Sequence, residues 1–179
     1  RLVARMSDLE AEARLVEHPP VVAGAALVVP QGLLRQLEGA NAYEVALFAK
    51  STEEVDRRAV SAVMRAEQAL GGIAEEMPHN NPGFDIRSVR PDKRVLRIEV
   101  KGRIDGADTF TITKNEVVTA KNLGDDYRLA LVRVSREGAE RDEVQYVTRP
   151  FDGTDTADFR TLSYNQSWDK TWGQGGPPR

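Results

Sequence analysis

The sequence lacks cysteine altogether and contains only two histidines, His18 and His79. The absence of cysteine excludes disulfides, cysteine nucleophiles and cysteine-ligated zinc, and it fits a reducing, cytoplasmic location. So few histidines also argue against a histidine-rich metal centre. No apolar run approaches the roughly 18–20 residues of a membrane-spanning helix, and no basic segment followed by an apolar stretch resembles a signal peptide. We therefore expect no membrane association.

The sequence also lacks the basic excess that is common in nucleic-acid-binding proteins, because its net charge is −3. The basic residues are unevenly distributed, however. Between Ile86 and Arg103, two acidic residues stand against seven basic ones: Arg87, Arg90, Lys93, Arg94, Arg97, Lys101 and Arg103. This stretch indicates either a surface for phosphates or a solvated strand edge that charge protects from aggregation.

The order of predicted elements indicates an α/β fold with a mixed central sheet flanked by helices. A helix is predicted from a cap at Ser51 or Thr52 to Gly71-Gly72. Strand patterns follow, and a helix over Lys114–Leu123 precedes a strand over Tyr127–Ser135. We predict a domain over residues 51–150 with an α-β-β-β-α-β core. Residues 1–50 are predicted to be a connecting segment of a longer protein, and residues 151–179 a C-terminal extension with a disordered end.

Three polar residues in the predicted strands indicate a metal site. Glu99 and Lys101 share one strand face because side chains alternate along a strand. A hairpin through Arg90–Arg94 would place Asp85 beside Glu99. Two carboxylates, with the Val100 carbonyl as a further ligand, suit Mg²⁺ or Mn²⁺, and a lysine next to them can stabilise the transition state at a phosphate. By itself, however, this triplet is also compatible with an ordinary exposed Glu–Lys pair.

The residues around the triplet resemble a known family. Asp85 follows Asn80-Asn81-Pro82-Gly83-Phe84, the run Glu99-Val100-Lys101-Gly102-Arg103 comes next, and Thr113-Lys114-Asn115-Glu116 follows it. Over about residues 55–150 the chain resembles the C-terminal domain of the protein NO VEIN family, which is also found at the ends of bacterial Swi/Snf-type helicase proteins. It is similar to the wider PD-(D/E)XK nuclease superfamily, although Phe84 stands where the motif has proline. The resemblance implies a restriction-endonuclease-like fold, in which Asp85, Glu99 and Lys101 are catalytic.

The resemblance also suggests roles for residues outside the triplet. An acid from the first helix often joins the metal site in related nucleases, so Glu67 is a candidate ligand, although it can equally be a solvent-facing glutamate. Arg87 and Arg103 are candidates for binding nucleic acid, as are Lys114 and Asn115 at a helix start. Arg103 can instead pair with Asp105, and Thr113 with Glu116 can simply form a capping box. Trp168 and Trp172 are expected to pack a terminal helix.

The expected function is metal-dependent hydrolysis of DNA phosphodiester bonds. The resemblance implies attachment to a helicase or translocase and a role in defence against foreign DNA, and a homodimer would allow both strands to be cut. One alternative is a catalytically silent module of the same fold that recognises modified or branched DNA. The other is a protein-interaction module.

Overall fold

The computed structural model describes residues 6, 27, 29, 31–39, 42–81, 83–104, 108–158 and 160–179. The chain divides into two compact units, Arg1–Ala40 and Asn41–Arg179. The first unit contains helix α1 (Gln31–Leu37). Of the predicted connecting segment, residues 1–5, 7–26, 28, 30, 40 and 41 lie outside the described residues. None of the helices in the described ranges is long and apolar enough to cross a membrane.

The second unit is built on a mixed five-stranded sheet. After α2 (Ala42–Ala69), the sheet strands are β1 (Ile73–Glu76), β2 (Ile86–Val89), β3 (Val95–Ile104), β5 (Tyr127–Val134) and β6 (Glu143–Thr148). Their spatial order is β1-β2-β3-β5-β6, and only β3 and β5 run parallel. Helix α3 (Lys114–Leu123) precedes β5 in the chain. The predicted restriction-endonuclease-like order of helix, three strands, helix and strand is therefore confirmed.

The two faces of the sheet bury different side chains. Ile98 and Val100 of β3 pack with Ala59 and Val63 of α2. On the opposite face, a second core cluster combines residues of β5 with residues of α3 and of strand β4 (Thr109–Thr113). Because side chains alternate, Glu99 points to this second face, as predicted. A Cβ atom at Gly102 would lie 2.6 Å from that of Ala59, so only glycine allows α2 to pack this closely on β3.

The two main helices match the prediction to different degrees. Helix α3 has the predicted bounds and capping box: the Thr113 hydroxyl accepts from the Glu116 N–H at 3.3 Å, and the Glu116 carboxylate accepts from the Thr113 N–H at 2.7 Å. Helix α2 begins at Ala42 rather than at Ser51. The residues before Ser51 include alanine, glutamate, leucine and lysine, which favour helix, and a capping residue does not by itself end a helix.

The C-terminal segment belongs to the folded unit, contrary to the prediction of an extension with a disordered end. Strand β7 (Ser163–Ser167) pairs with β4, and helix α4 (Trp168–Trp172) follows it. Trp168 is buried edge-on against Phe110 at 6.0 Å between ring centroids. Beyond α4, Gly176 exchanges two backbone hydrogen bonds with Tyr146, of 2.8 and 3.1 Å. A glycine-rich composition indicates flexibility, but it does not exclude backbone pairing with another strand.

Candidate active site

A cleft of about 760 Å³ opens where the first part of α2 meets β3 and the start of α3. Its wall includes the predicted triplet, and six of its residues are acidic whereas three are lysine or arginine. The charged residues of the wall are Glu53, Asp56, Glu76, Asp85, Glu99 and Glu116, with Arg57, Lys101 and Arg103. The cleft is therefore acidic, even though the sequence around β3 is rich in basic residues.

Asp85 lies directly beside the middle of β3. Its N–H donates to the Ile98 carbonyl at 2.9 Å, and its carboxylate accepts from the Val100 N–H at 2.8 Å. The hairpin between β2 and β3 thus brings Asp85 next to Glu99, as the sequence predicted. Since one strand residue directs its N–H and its carbonyl to the same edge, the Val100 carbonyl faces the Asp85 side, beyond the start of β2.

Lys101 connects two carboxylates. Its ammonium nitrogen lies 2.6 Å from Glu99 Oε1 and 3.4 Å from Glu116 Oε1. Burial by itself lowers the pKa of Lys101, but attraction by Glu99 and Glu116 outweighs it, so the net pKa is raised above 10.5. Lys101 therefore remains positively charged at neutral pH.

Glu99 and Asp85 resist ionisation in spite of the nearby Lys101. Burial raises the pKa of Glu99 to about 8, because the lost hydration together with repulsion from Asp85 and Glu116 outweighs the attraction of Lys101. Burial also raises the pKa of Asp85, against the hydrogen bond from Val100. A cation bound between two such acids would favour their charged forms.

Tyr127 adds an unsatisfied polar group close to these acids. It lies on the same sheet face as Glu99, and it is fully buried. Its hydroxyl has no hydrogen-bond partner in the described part of the chain. Burial raises its pKa, and the charges of Glu99, Glu116 and Asp85 raise it further. Because a buried hydroxyl without a partner is unfavourable, this group is suited to a buried water.

Glu67 lies away from this cleft, on the face of the sheet that packs against α2. Arg90 donates to both of its carboxylate oxygens at 2.7 Å, and the Tyr146 hydroxyl donates to Oε1 at 2.7 Å. The side chain is fully buried. With both oxygens already bound, its placement does not support the predicted metal role, and it also rules out a solvent-facing glutamate. Glu67 instead forms a structural ion pair.

Four of the six acids of the cleft are absent from the predicted site, and two of them, Glu116 and Asp56, interact with Lys101. The sequence indicates only a capping role for Glu116, yet its second oxygen faces Lys101. Asp56 lines the cleft from α2, and burial raises its pKa against the attraction of Arg103 and Lys101. Asp56 precedes Glu67 by three helical turns, or about 16 Å. Its position next to the half-buried Val55 and three residues before the buried Ala59 is the signal that the sequence offers.

Of the four residues predicted to contact nucleic acid, the structure places one, Arg103, in the wall of the cleft. Arg103 lines it and donates to the Gly102 and Thr109 carbonyls at 2.7 and 3.3 Å. Arg87 lies on β2 opposite Arg97 and is not part of the cleft wall. Lys114 donates to the Asp158 carbonyl at 3.0 Å, and Asn115 is exposed to solvent. Neither of these two lines the cleft.

Comparison with known proteins gives one family and a weak structural likeness. The family model described as "Protein NO VEIN, C-terminal" matches residues 55–147, which include all of β1–β3 and α3. Among solved structures, the chain is similar to Hjc, a Holliday junction resolvase from the archaeal hyperthermophile Archaeoglobus fulgidus. The TM-score is 0.43 at 16% identity, over 64% of this chain and 91% of that one. Among curated proteins, none has a matching sequence.

Proposed function

The chain belongs to the protein NO VEIN C-terminal family, and on this premise we propose that its acidic cleft is the active site of a metal-dependent nuclease that hydrolyses phosphodiester bonds of DNA. One observation carries the proposal: Asp85, just before β2, is hydrogen-bonded to β3 at Val100, next to Glu99, and the Lys101 ammonium lies 2.6 Å from Glu99. Carboxylates that hold a cation beside a lysine are suited to a reaction in which charge develops on phosphate oxygens.

The residues present fit a hard divalent cation such as Mg²⁺ or Mn²⁺. Asp85 and Glu99 offer carboxylate oxygens, and the Val100 carbonyl faces the same edge of β3. Over the described residues, no three acidic or histidine side chains are grouped to hold a metal ion. This is compatible with Mg²⁺, which commonly takes only one or two carboxylates from a protein and keeps several waters. When bound, such an ion acidifies water and neutralises phosphate charge.

The protein's own contribution in this proposal is positioning and charge. Lys101 lies within reach of Glu99 and Glu116, so it can orient a water and attract a phosphate oxygen. The Val100 N–H fixes the Asp85 carboxylate through a 2.8 Å hydrogen bond. Asp56 approaches from α2 and adds a further acid to the wall. Lys101 belongs to β3, Asp85 is hydrogen-bonded to β3, and α2, which carries Asp56, packs against β3, which keeps their geometry rigid.

The test is cleavage of plasmid and short duplex DNA with Mg²⁺ or Mn²⁺, each compared with EDTA. The proposal expects cleavage that depends on the metal and is lost in Asp85→Asn. Asp155→Asn is a matched control, because Asp155 is an exposed aspartate outside the cleft. Cleavage that persists in EDTA, or in Asp85→Asn, would mean that a contaminating enzyme or a different site is responsible.

Glu116 gives a prediction that separates its two roles. Glutamine can also form a capping box, so Glu116→Gln should keep α3 capped while removing the charge beside Lys101. We expect cleavage to fall about tenfold or more in Glu116→Gln, with little change in the melting temperature. Thr113→Ala should do the reverse, because it removes the cap, which costs about 1 kcal/mol of stability. If Glu116→Gln cleaves DNA as fast as wild type, Glu116 caps α3 and has no role in cleavage.

One observation favours a second candidate, a DNA-recognition module without catalysis. The Lys101 ammonium bridges Glu99 and Glu116, so the lysine itself partly satisfies the charges that a metal ion would otherwise offset. In that case Lys101 takes the place of the metal ion, and the cleft binds DNA without cleaving it. DNA binding in a gel shift, without turnover and without heat from Mg²⁺ titration, would favour this candidate over the nuclease.

For the cellular setting we propose attachment to a DNA translocase that acts in defence against foreign DNA, with dimerisation as a route to cutting both strands. The resemblance to the ends of Swi/Snf-type helicase proteins supports this setting. In the full-length protein, Asp85→Asn should abolish protection against phage while leaving DNA-stimulated ATP hydrolysis unchanged. Unchanged protection would contradict the proposed setting.

A further inference from the structure

A second concave surface adjoins the acidic cleft across two neighbouring strands. Arg103 of β3 and Arg133 of β5 are register partners in the parallel pair, and alternation places both on the sheet face that carries Glu99. Arg103 lines the acidic cleft. Arg133 lines a groove of about 630 Å³. The cleft and the groove are therefore neighbours, one strand apart.

This groove has the opposite charge balance from the cleft. Its wall holds three arginines and two glutamates, and we call it the arginine groove: Arg133, Ser135, Arg136, Glu137, Arg141 and Glu143. Arg133 donates to Glu143 at 3.2 Å and lies 4.3 Å from the centre of the Trp172 ring. Arg141 pairs with Glu137. Arg136 forms no hydrogen bond or ion pair with any residue that the structure describes, and it is exposed.

The acidic cleft alone cannot attract a nucleic acid. Its six acidic residues repel phosphates, and most of the affinity of proteins for DNA comes from cations that contact the backbone. A nuclease with this cleft needs a basic surface nearby. Arg103 has no carboxylate within ion-pair distance in the described ranges, and it lies beside a second arginine.

We propose that the arginine groove, together with Arg103, binds the sugar-phosphate backbone that flanks the segment held at the acidic cleft. Arginine suits this task because its guanidinium can bind phosphate through two parallel hydrogen bonds. The ring of Trp172 restrains Arg133 through a cation–π contact, which keeps it directed along the wall. The proposal deepens the proposed function and rests on it, because it names the surface that supplies affinity for the same substrate.

The test measures binding separately from cleavage. In an Asp85→Asn background with Mg²⁺, a fluorescein-labelled DNA duplex is titrated and its anisotropy is followed at several salt concentrations. The double variant Arg136→Ala/Arg141→Ala should bind about tenfold or more weakly, and the slope of log K against log salt should fall by about one for each phosphate that the protein no longer neutralises. Arg160→Ala is the matched control, since Arg160 is an exposed arginine paired with Asp158 at 3.2 Å.

The outcomes separate the two proposals. Weaker binding with a reduced slope in the double variant, and wild-type behaviour in Arg160→Ala, would support the arginine groove. DNA binding with an unchanged affinity and slope in the double variant would overturn this inference and leave the nuclease proposal standing. If the protein binds no DNA even at low salt, the arginine groove and the proposed function both fail. Melting temperatures of the variants show whether each has remained folded.

Discussion

Replacing Lys101 by methionine should lower the rate of DNA cleavage by about 10²–10³-fold, the loss typical when one group that stabilises transition-state charge is removed. The ammonium is the positive group closest to the carboxylates, at 2.6 Å from Glu99. Its removal also withdraws the attraction that limits the pKa of Glu99 to about 8, so that the proton on Glu99 would be harder for a metal ion to displace. The measurement is the cleavage rate under saturating Mg²⁺.

Lys170→Met is the control for this variant, because Lys170 is an exposed lysine of α4 outside the cleft. It should cleave at the wild-type rate. Methionine has nearly the same length as lysine and can occupy the half-buried site, so Lys101→Met should remain folded by circular dichroism. If the Lys101→Met protein is folded and cleaves as fast as the Lys170→Met control, Lys101 has no role in cleavage.

Replacing Glu67 by alanine should destabilise the protein by about 3–5 kcal/mol, the usual cost of breaking a buried ion pair by removing one partner. Arg90 would lose both of its carboxylate hydrogen bonds, and the Tyr146 hydroxyl would lose its acceptor. The measurement is urea unfolding at pH 7. Glu54→Ala, at an exposed position of the same helix, should change the free energy of unfolding by less than about 0.5 kcal/mol.

A Glu67→Ala protein as stable as the Glu54→Ala control would show that the hydrogen bonds of Glu67 with Arg90 and Tyr146 are not formed in solution. The same measurement therefore tests whether Glu67 stabilises the folded protein. A moderate loss of stability accompanied by loss of Mg²⁺ binding in the folded state would instead return Glu67 to the metal site.

The Glu67 ion pair also predicts a pH dependence. Burial by itself raises the pKa of Glu67, but the hydrogen bonds from Arg90 and Tyr146 outweigh it, so the folded-state pKa lies below the ordinary value of 4.5. A lowered pKa means that the stabilisation is present above about pH 4.5 and is lost as the pH falls through the folded-state pKa. The stability difference between wild type and Glu67→Gln should therefore shrink below that pH. A difference that is constant from pH 7 to pH 3 would contradict this.

The sheet and the proposed catalytic triplet were predictable because they depend on local rules. Alternation along β3 separates Glu99 and Lys101 from the buried Ile98 and Val100, and it does not depend on the rest of the fold. The turn residues between β2 and β3 fixed the hairpin that brings Asp85 to Glu99. Helix α3 was predicted with its bounds because its capping box lies within four residues.

It was harder to predict which acid of α2 lines the cleft, because the answer depends on how the helix is placed along the sheet. Periodicity gives the buried face of a helix, but it does not tell which turn lies beside the cleft. Glu67 and Asp56 both border that face. Only tertiary packing shows that Glu67 meets Arg90 and Tyr146, whereas Asp56 reaches the wall that contains Lys101.

The C-terminal segment was harder to predict for a similar reason. The pairing of β7 with β4 joins Thr109 to Ser167 and Thr113 to Ser163, across a separation of about 50 residues that no local pattern reports. Exposed and half-buried residues alternate along β7, but its sequence is mostly polar, so no hydrophobic alternation indicates a strand there. The packing of Trp168 and Trp172 was predictable, since aromatic residues four positions apart share one side of a helix.

Titration of the protein with Mn²⁺ or Mg²⁺ in a calorimeter tests the central claim most directly, because it requires neither the correct DNA nor turnover. We predict a site that is lost in Asp85→Asn and in Glu99→Gln but kept in folded Glu67→Gln. Because burial raises the pKa of Glu99 to about 8, binding at pH 7 should release protons, so the measured heat should vary with the ionisation enthalpy of the buffer. Equal metal affinity in wild type and Asp85→Asn, or no metal binding by the wild-type protein, would contradict the account.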